Sequence, residues 1–247
     1  MRKRKRRHVR RKKKKLNRIM TVFPVLLFLA GVAVFLYPAV SSWLAKIHQS
    51  GVIQEYGETL EAEDSAYYDE EWKKAQEYND NLAGDPVHDP FLPGTGYALP
   101  SNYLDCLNVD GVMGYIEIPR INVRLPIYHG TSEDVLQEGV GHIESTALPI
   151  GGDFTHAVLT GHRGLPNARM FTDLDQLDIG DQFYIHVLDE ILAYEVDAIN
   201  TVEPDDLREL RAIKGRDLVT LITCTPYGVN THRLLVRGTR VPYVPEE

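Results

Sequence analysis

The chain has 247 residues and is 43% hydrophobic, enough for one sizeable domain with further segments, and its formal net charge of −8 conceals two unlike parts. Residues 1–18 hold thirteen Lys or Arg and no acid, whereas from residue 47 onward thirteen basic residues stand against thirty-five acidic ones, a formal −22. There is no Gly-rich phosphate loop, Cys-x-x-Cys pair or His-Glu-x-x-His run, and the nine His are scattered, so neither a metal nor a cofactor is expected.

The basic residues 1–18 lead into an uncharged run, residues 19–45, whose apolar core occupies 22–36. At about 1.5 Å per residue this run exceeds the roughly 30 Å hydrocarbon layer, so residues 19–42 are predicted to form a transmembrane helix. A cleaved signal would have a shorter apolar run; the small residues around Pro38 and Ser42 are compatible with cleavage, but the length favours a retained anchor. The positive-inside rule places residues 1–18 in the cytoplasm and everything beyond Trp43 outside the cell membrane, a single-pass arrangement. Beside a membrane span, the polybasic segment reads as a topology signal in contact with anionic lipid rather than as a nucleic-acid tail.

Residues 43–83 are polar and acidic, with Tyr68, Trp72, Ala75, Asn79 and Leu82 spaced four and three apart on one helical face. The expectation is an extracytoplasmic helical segment, interrupted near Gly51 and Gly57, that packs its Trp72 face on the following domain; for residues 46–64 a freely solvated stalk is the alternative. Residues 84–104 carry Pro86, Pro90, Pro93 and Pro100 with three Gly, a linker by composition.

Residues 105–247 read as short strands: 114–118, an alternating run from Ile121 to Ile127, 157–161, 183–188, and 191–199 after a tight turn at Asp189-Glu190. Brief helical pieces are expected at 135–138, 170–174 and 205–210. Many short strands with polar turns predict a mainly β fold, a closed or nearly closed β-barrel.

The chemistry concentrates at L-I-T-C-T-P-Y-G-V-N-T-H-R, residues 221–233. Its flanks read as a hairpin with an eight-residue loop from Thr225 to His232, so Cys224 and Arg233 should meet at the loop base, with Cβ atoms roughly 5 Å apart. A thiol of ordinary pKa near 8.5 is only a few per cent thiolate at neutral pH, so a partner must share its proton. His162, at the end of the strand 157–161, is the best candidate and His142 its chief competitor. Alternation sends His232 to the face opposite Arg233, which suits a structural role. His129, His156 and His186 read as strand or loop histidines. A Cys106–Cys224 disulfide would consume the reactive thiol, and Cys106 reads instead as a small buried residue.

The runs T-L-I-T-C-T-P-Y-G-V-N-T-H-R-L-L-V-R-G and L-T-G-H-R-G-L-P-N-A-R-M-F-T-D-L resemble the sortases, most closely the pilin-polymerising class C branch, over roughly residues 85–240. The resemblance implies the closed sortase barrel and places the family's catalytic Cys, His and Arg on Cys224, His162 and Arg233. Asp89-Pro90-Phe91 matches the family's lid signature, in which the acid pairs with the Arg and the aromatic covers the Cys. The implied reaction is transpeptidation: an LPxTG-like sorting signal is cleaved between Thr and Gly and passed to an amine, a pilin Lys in class C, in a Gram-positive envelope. A cell-wall acceptor would make it a housekeeping sortase, and a water acceptor a tethered cysteine hydrolase. A non-catalytic surface scaffold is a further alternative. Class C members often carry a second apolar segment and a basic tail at the carboxyl end; this chain stops at Val241-Pro242-Tyr243-Val244-Pro245-Glu246-Glu247, so one span is expected.

Overall fold

The computed structural model describes residues 2–82, 102–165 and 168–245, with the backbone alone for 2–21. The first helix, α1 (Arg2–Glu61), is continuous, and the portion from Val22 onward is long and apolar enough to cross a membrane. Val22, Phe23, Leu26, Phe28 and Phe35 are all exposed on it. Beyond this apolar part, Gln49, Ile53, Tyr56 and Leu60 are buried. Their spacing of four, three and four makes one stripe, which docks on the barrel.

The expected interruption near Gly51 and Gly57 is therefore corrected. A Cβ at either glycine would meet nothing within 4 Å, so both lie away from the packed stripe. Each glycine costs about 1 kcal/mol of helix propensity, a penalty outweighed by burial of four neighbouring side chains. The Tyr56 hydroxyl strengthens the dock, donating to Met113 O at 3.4 Å and accepting from Leu188 N at 2.8 Å. The solvated-stalk alternative for residues 46–64 fails for the same reason.

A short break separates α1 from α2 (Ser65–Leu82), whose buried residues are Glu71, Ala75, Tyr78, Asn79 and Leu82. The Asn79 amide donates to Leu148 O at 3.2 Å and its Oδ1 accepts from Leu148 N at 2.7 Å, while Trp72 Nε1 donates to Asp189 Oδ1 at 2.8 Å. The apolar face read from the sequence is thus the docked one.

Eight strands follow: β1 (Val112–Ile118), β2 (Val123–His129), β3 (Val140–His142), β4 (Thr155–Thr160), β5 (Gln182–Val187), β6 (Glu190–Val202), β7 (Asp217–Thr225) and β8 (His232–Val241). They close a barrel in the order β1-β2-β3-β4-β7-β8-β6-β5. The β2–β3 and β4–β7 pairs are parallel and the rest antiparallel. The short α3 (Glu133–Glu138) is capped by Ser132, whose hydroxyl accepts from Val135 N. The alternating run expected from Ile121 begins only at Val123, because Pro119–Ile121 form a 3₁₀ turn closed by left-handed Asn122. The helical pieces expected at 170–174 and 205–210 shrink to 3₁₀ turns at Leu174–Gln176 and Arg208–Leu210.

All six residues of β4 are buried, as is β7 from Leu218 to Thr223. Leu159, Leu221, Leu234 and Val236 join the main core, which also takes in Tyr56, Leu60, Ala75 and Tyr78 from the helices. Val158, Ile222 and Leu235, on the other face of the same strands, form a separate cluster with Ile143 and Leu210. The β6–β7 connection therefore covers the sheet from outside, and β4 and β7 are apolar on both faces.

Candidate active site

The β7–β8 ladder continues through Cys224↔Arg233 to Thr225↔His232. The loop is consequently six residues, 226–231, rather than the eight expected, because one more pair zips at its base. Cys224 lies two residues past Ile222, and Arg233 two before Leu235. Alternation puts both on the face that carries the outer apolar cluster.

The imidazole reaches the same face through the parallel β4–β7 pair, whose last printed rung is Thr160↔Ile222. Gly161 N donates to Ile222 O at 3.1 Å and Thr223 Oγ1 to Gly161 O at 2.7 Å, so the strands stay together past that rung. Extended two residues further, the same register would bring His162 level with Cys224. His162 is four residues past Val158, an outer-cluster residue, and so shares the parity of Cys224 and Arg233. Cys224 and Arg233 thus share the last turn of the β7–β8 hairpin, and the loop that follows β4 carries His162 toward the same end of the barrel.

The His162 backbone is held from behind, its carbonyl accepting from Phe171 N at 3.1 Å while the buried Phe171 ring leaves no room for a Cβ at Gly161. Its side chain is 22% exposed, and Nε2 lies 3.6 Å from Glu133 Oε1. Among the described residues that nitrogen has no hydrogen-bond partner. Arg233 Nη1 donates to His232 O at 3.3 Å, and Arg233 lines a groove with Ile143, Val202, Pro204, Leu207 and Ile222. A thiol and a guanidinium thus share one rung beside a small cleft of about 10 Å³, which Glu203 and Asp206 also line.

The competing groups are accounted for. His142 is fully buried, with Nδ1 at 2.9 Å from the Tyr103 hydroxyl and Nε2 at 2.8 Å from Ala147 O; burial pushes its pKa down to about 4. His156 bridges Arg211 O and Thr220 Oγ1 and is pushed to about 4 for the same reason. His129 contacts Cys106 O, His186 stacks on Tyr115, and His232 lies 3.2 Å from Glu203. Both cysteines are free; the Cys106 thiol donates to Asn102 O and burial pushes its pKa up to about 11, which makes it a poor nucleophile. No cluster of three potential metal-binding side chains occurs among the described residues. Asp89, Pro90 and Phe91 lie outside the described residues.

Sequence reasoning passed over Arg163, although it stands inside the G-H-R-G run. Its guanidinium ties Thr172 O, Thr225 Oγ1 and Asp175 together. It also overlooked the outer cover of residues 203–216, for which Leu207 and Leu210 were the only local sign.

Comparison with known proteins bears on this arrangement. The sortase-domain family model matches residues 116–241. A sortase C of Streptococcus pneumoniae, whose structure bears on catalysis and pilin substrate specificity, is 48% identical with a TM-score of 0.73, covering 79% of this chain and 100% of that one. Sortase C-1 of Actinomyces oris is 53% identical with a TM-score of 0.67, covering 70% and 97%. Sortase D of Bacillus subtilis is 32% identical over 131 residues, 52% of this chain and 63% of that relative's length.

Proposed function

The chain belongs to the sortase family, whose members are cysteine transpeptidases, and from that premise we propose that it joins pilin subunits through an LPxTG-like signal. The observation that carries this reading is the Cys224↔Arg233 rung with the His162 loop continuing the neighbouring parallel pair. The Cys224 thiol passes its proton to His162 as its sulfur attacks the Thr carbonyl carbon of the signal. The Thr–Gly bond breaks, the Gly amine leaves with a proton from His162, and a thioester remains. An incoming amine gives its proton to His162, takes the acyl group as an amide and releases the thiol. Arg233 donates to the oxyanion that forms in each half; one such donor is typically worth about 3 kcal/mol.

The acceptor is a pilin Lys, a choice supported by the sortase C relatives. Asp89, Pro90 and Phe91 act as a lid over the thiol, a reading that rests on their match to the family signature. Residues 19–42 anchor the enzyme as a single span, with residues 1–18 cytoplasmic against anionic lipid and the barrel outside the membrane, a topology supported by the charge asymmetry. The test incubates the full chain in lipid vesicles with a pilin subunit bearing the signal, then maps the product by mass spectrometry. An isopeptide bond to a pilin Lys, absent with Cys224→Ala, is the expected result. Transfer only to water, or only to a cell-wall cross-bridge amine, would replace pilin polymerisation by a hydrolase or a housekeeping role.

A further inference from the structure

Arg163 directly follows His162, yet its side chain is only 7% exposed. Taking a guanidinium out of water costs several kcal/mol unless its donors are matched. Here they are: Nε donates to Thr172 O at 3.2 Å, Nη1 to Thr225 Oγ1 at 3.0 Å, and Nη2 pairs with the Asp175 carboxylate. The partners lie on the 168–176 segment and on the last residue of β7.

Thr225 is the residue after Cys224, as Arg163 is the residue after His162. Continuing the β4–β7 register, His162 and Cys224 share one rung, and Arg163 and Thr225 share the next on the opposite face. The rung before is tied by Thr223 Oγ1 to Gly161 O at 2.7 Å. The imidazole–thiol rung is thus bracketed by a side-chain bond on each side, although His162 lies beyond the last residue of β4.

We propose that Arg163 is a positioning residue, setting the approach of the His162 imidazole to the Cys224 sulfur by tying the histidine loop to Thr225 and Asp175. This rests on the catalytic reading above. Register parity puts Arg163 on the face opposite His162 and Cys224, so it acts only through His162, which it follows, and Thr225, which follows Cys224. Its planar fork serves three diverging acceptors, whereas a lysine ammonium in the same place is a single point charge. An apolar side chain would fill the space at lower desolvation cost but could not direct the loop.

The test uses the full chain in vesicles with Arg163→Lys, Arg163→Gln, Thr225→Val and Cys224→Ala. It reads kcat, KM, the pH profile of kcat/KM, the pH dependence of Cys224 alkylation, and Tm. Misplacement of a catalytic group by an ångström can cost on the order of 10²-fold, so both Arg163 variants are expected to lose about that in kcat. Their KM should stay within about twofold, with displaced pH limbs for turnover and alkylation. Thr225→Val, which leaves Arg163 its contact to Asp175, should lower kcat less, and adding it to Arg163→Lys should cause no further loss. Unchanged kcat and pH limbs in folded variants overturn the proposal, as does a lowered Tm with unchanged pH limbs. If the Arg163 variants do not fold, wild-type kcat and pH limbs in Thr225→Val overturn it. Activity surviving in Cys224→Ala would instead overturn the catalytic reading beneath it.

Discussion

Two histidines at the ends of neighbouring strands differ in how fully their rings are bonded. His142 ends β3 and His162 follows the end of β4, strands that pair Gly141 with Thr160. Around His142 both ring nitrogens have partners, Tyr103 and Ala147, and burial holds the ring neutral. Around His162 the backbone is fixed by Phe171 while Nε2 has no hydrogen bond among the described residues. Saturated donors and acceptors make a histidine structural; a held backbone with an unbonded Nε2 is what the proposed proton transfer by His162 requires.

The largest break in this contrast is expected from His162→Ala. General acid–base catalysis typically contributes 10²–10⁴-fold, so kcat/KM on a signal peptide should fall by about 10³-fold while Tm stays near wild type. His142→Ala should do the opposite. It leaves the Ala147 carbonyl short of a partner and opens a cavity, costing about 2–4 kcal/mol in denaturant unfolding with activity per folded molecule retained.

The pH dependence of stability is the next effect. His142 and His156 have folded pKa values near 4 against an ordinary 6.5, so below about pH 6.5 the unfolded chain binds the extra protons first. Their contribution is fully present above pH 6.5 and is lost as pH falls toward 4, by an amount on the order of 3 kcal/mol for each ring. Burial also pushes His186 down to about 4, so denaturant midpoints measured from pH 7.5 to 4 should fall accordingly, and His156→Gln should remove only one ring's share of the slope. Glu133→Gln is the smallest change. Glu133 is 67% exposed and 3.6 Å from His162, too loose to orient the ring, so kcat/KM should move by less than about threefold.

How far the sequence could be read depends on the range of the interaction. The Cys224–Arg233 pair was legible because a hairpin is a local object: β-branched flanks and a turn set the register within a dozen residues. Even so, the loop length was overstated, since Thr225 and His232 look like loop residues until they pair. His162 was singled out by its place at a strand end and then by motif resemblance, because sixty-two residues separate it from Cys224 and only the parallel β4–β7 pair links their strands. The docking of α2 was visible in its apolar spacing. That of α1 was not, as Gln49 and Tyr56 are polar in the sequence and become part of the dock only through Glu138, Met113 and Leu188 on the barrel.

By itself the sequence determined the elements whose causes are near neighbours: the apolar run, the charge division, the period of the strands and the hairpin that carries the thiol. Only the tertiary structure decided that α1 runs unbroken through its glycines, that residues 203–216 cover β4 and β7 from outside, and that Arg163 reaches Thr225 rather than solvent. Each of these depends on burying groups far apart in the chain against one another. The free energy of such burial belongs to the assembled pair, and neither partner's local pattern contains it.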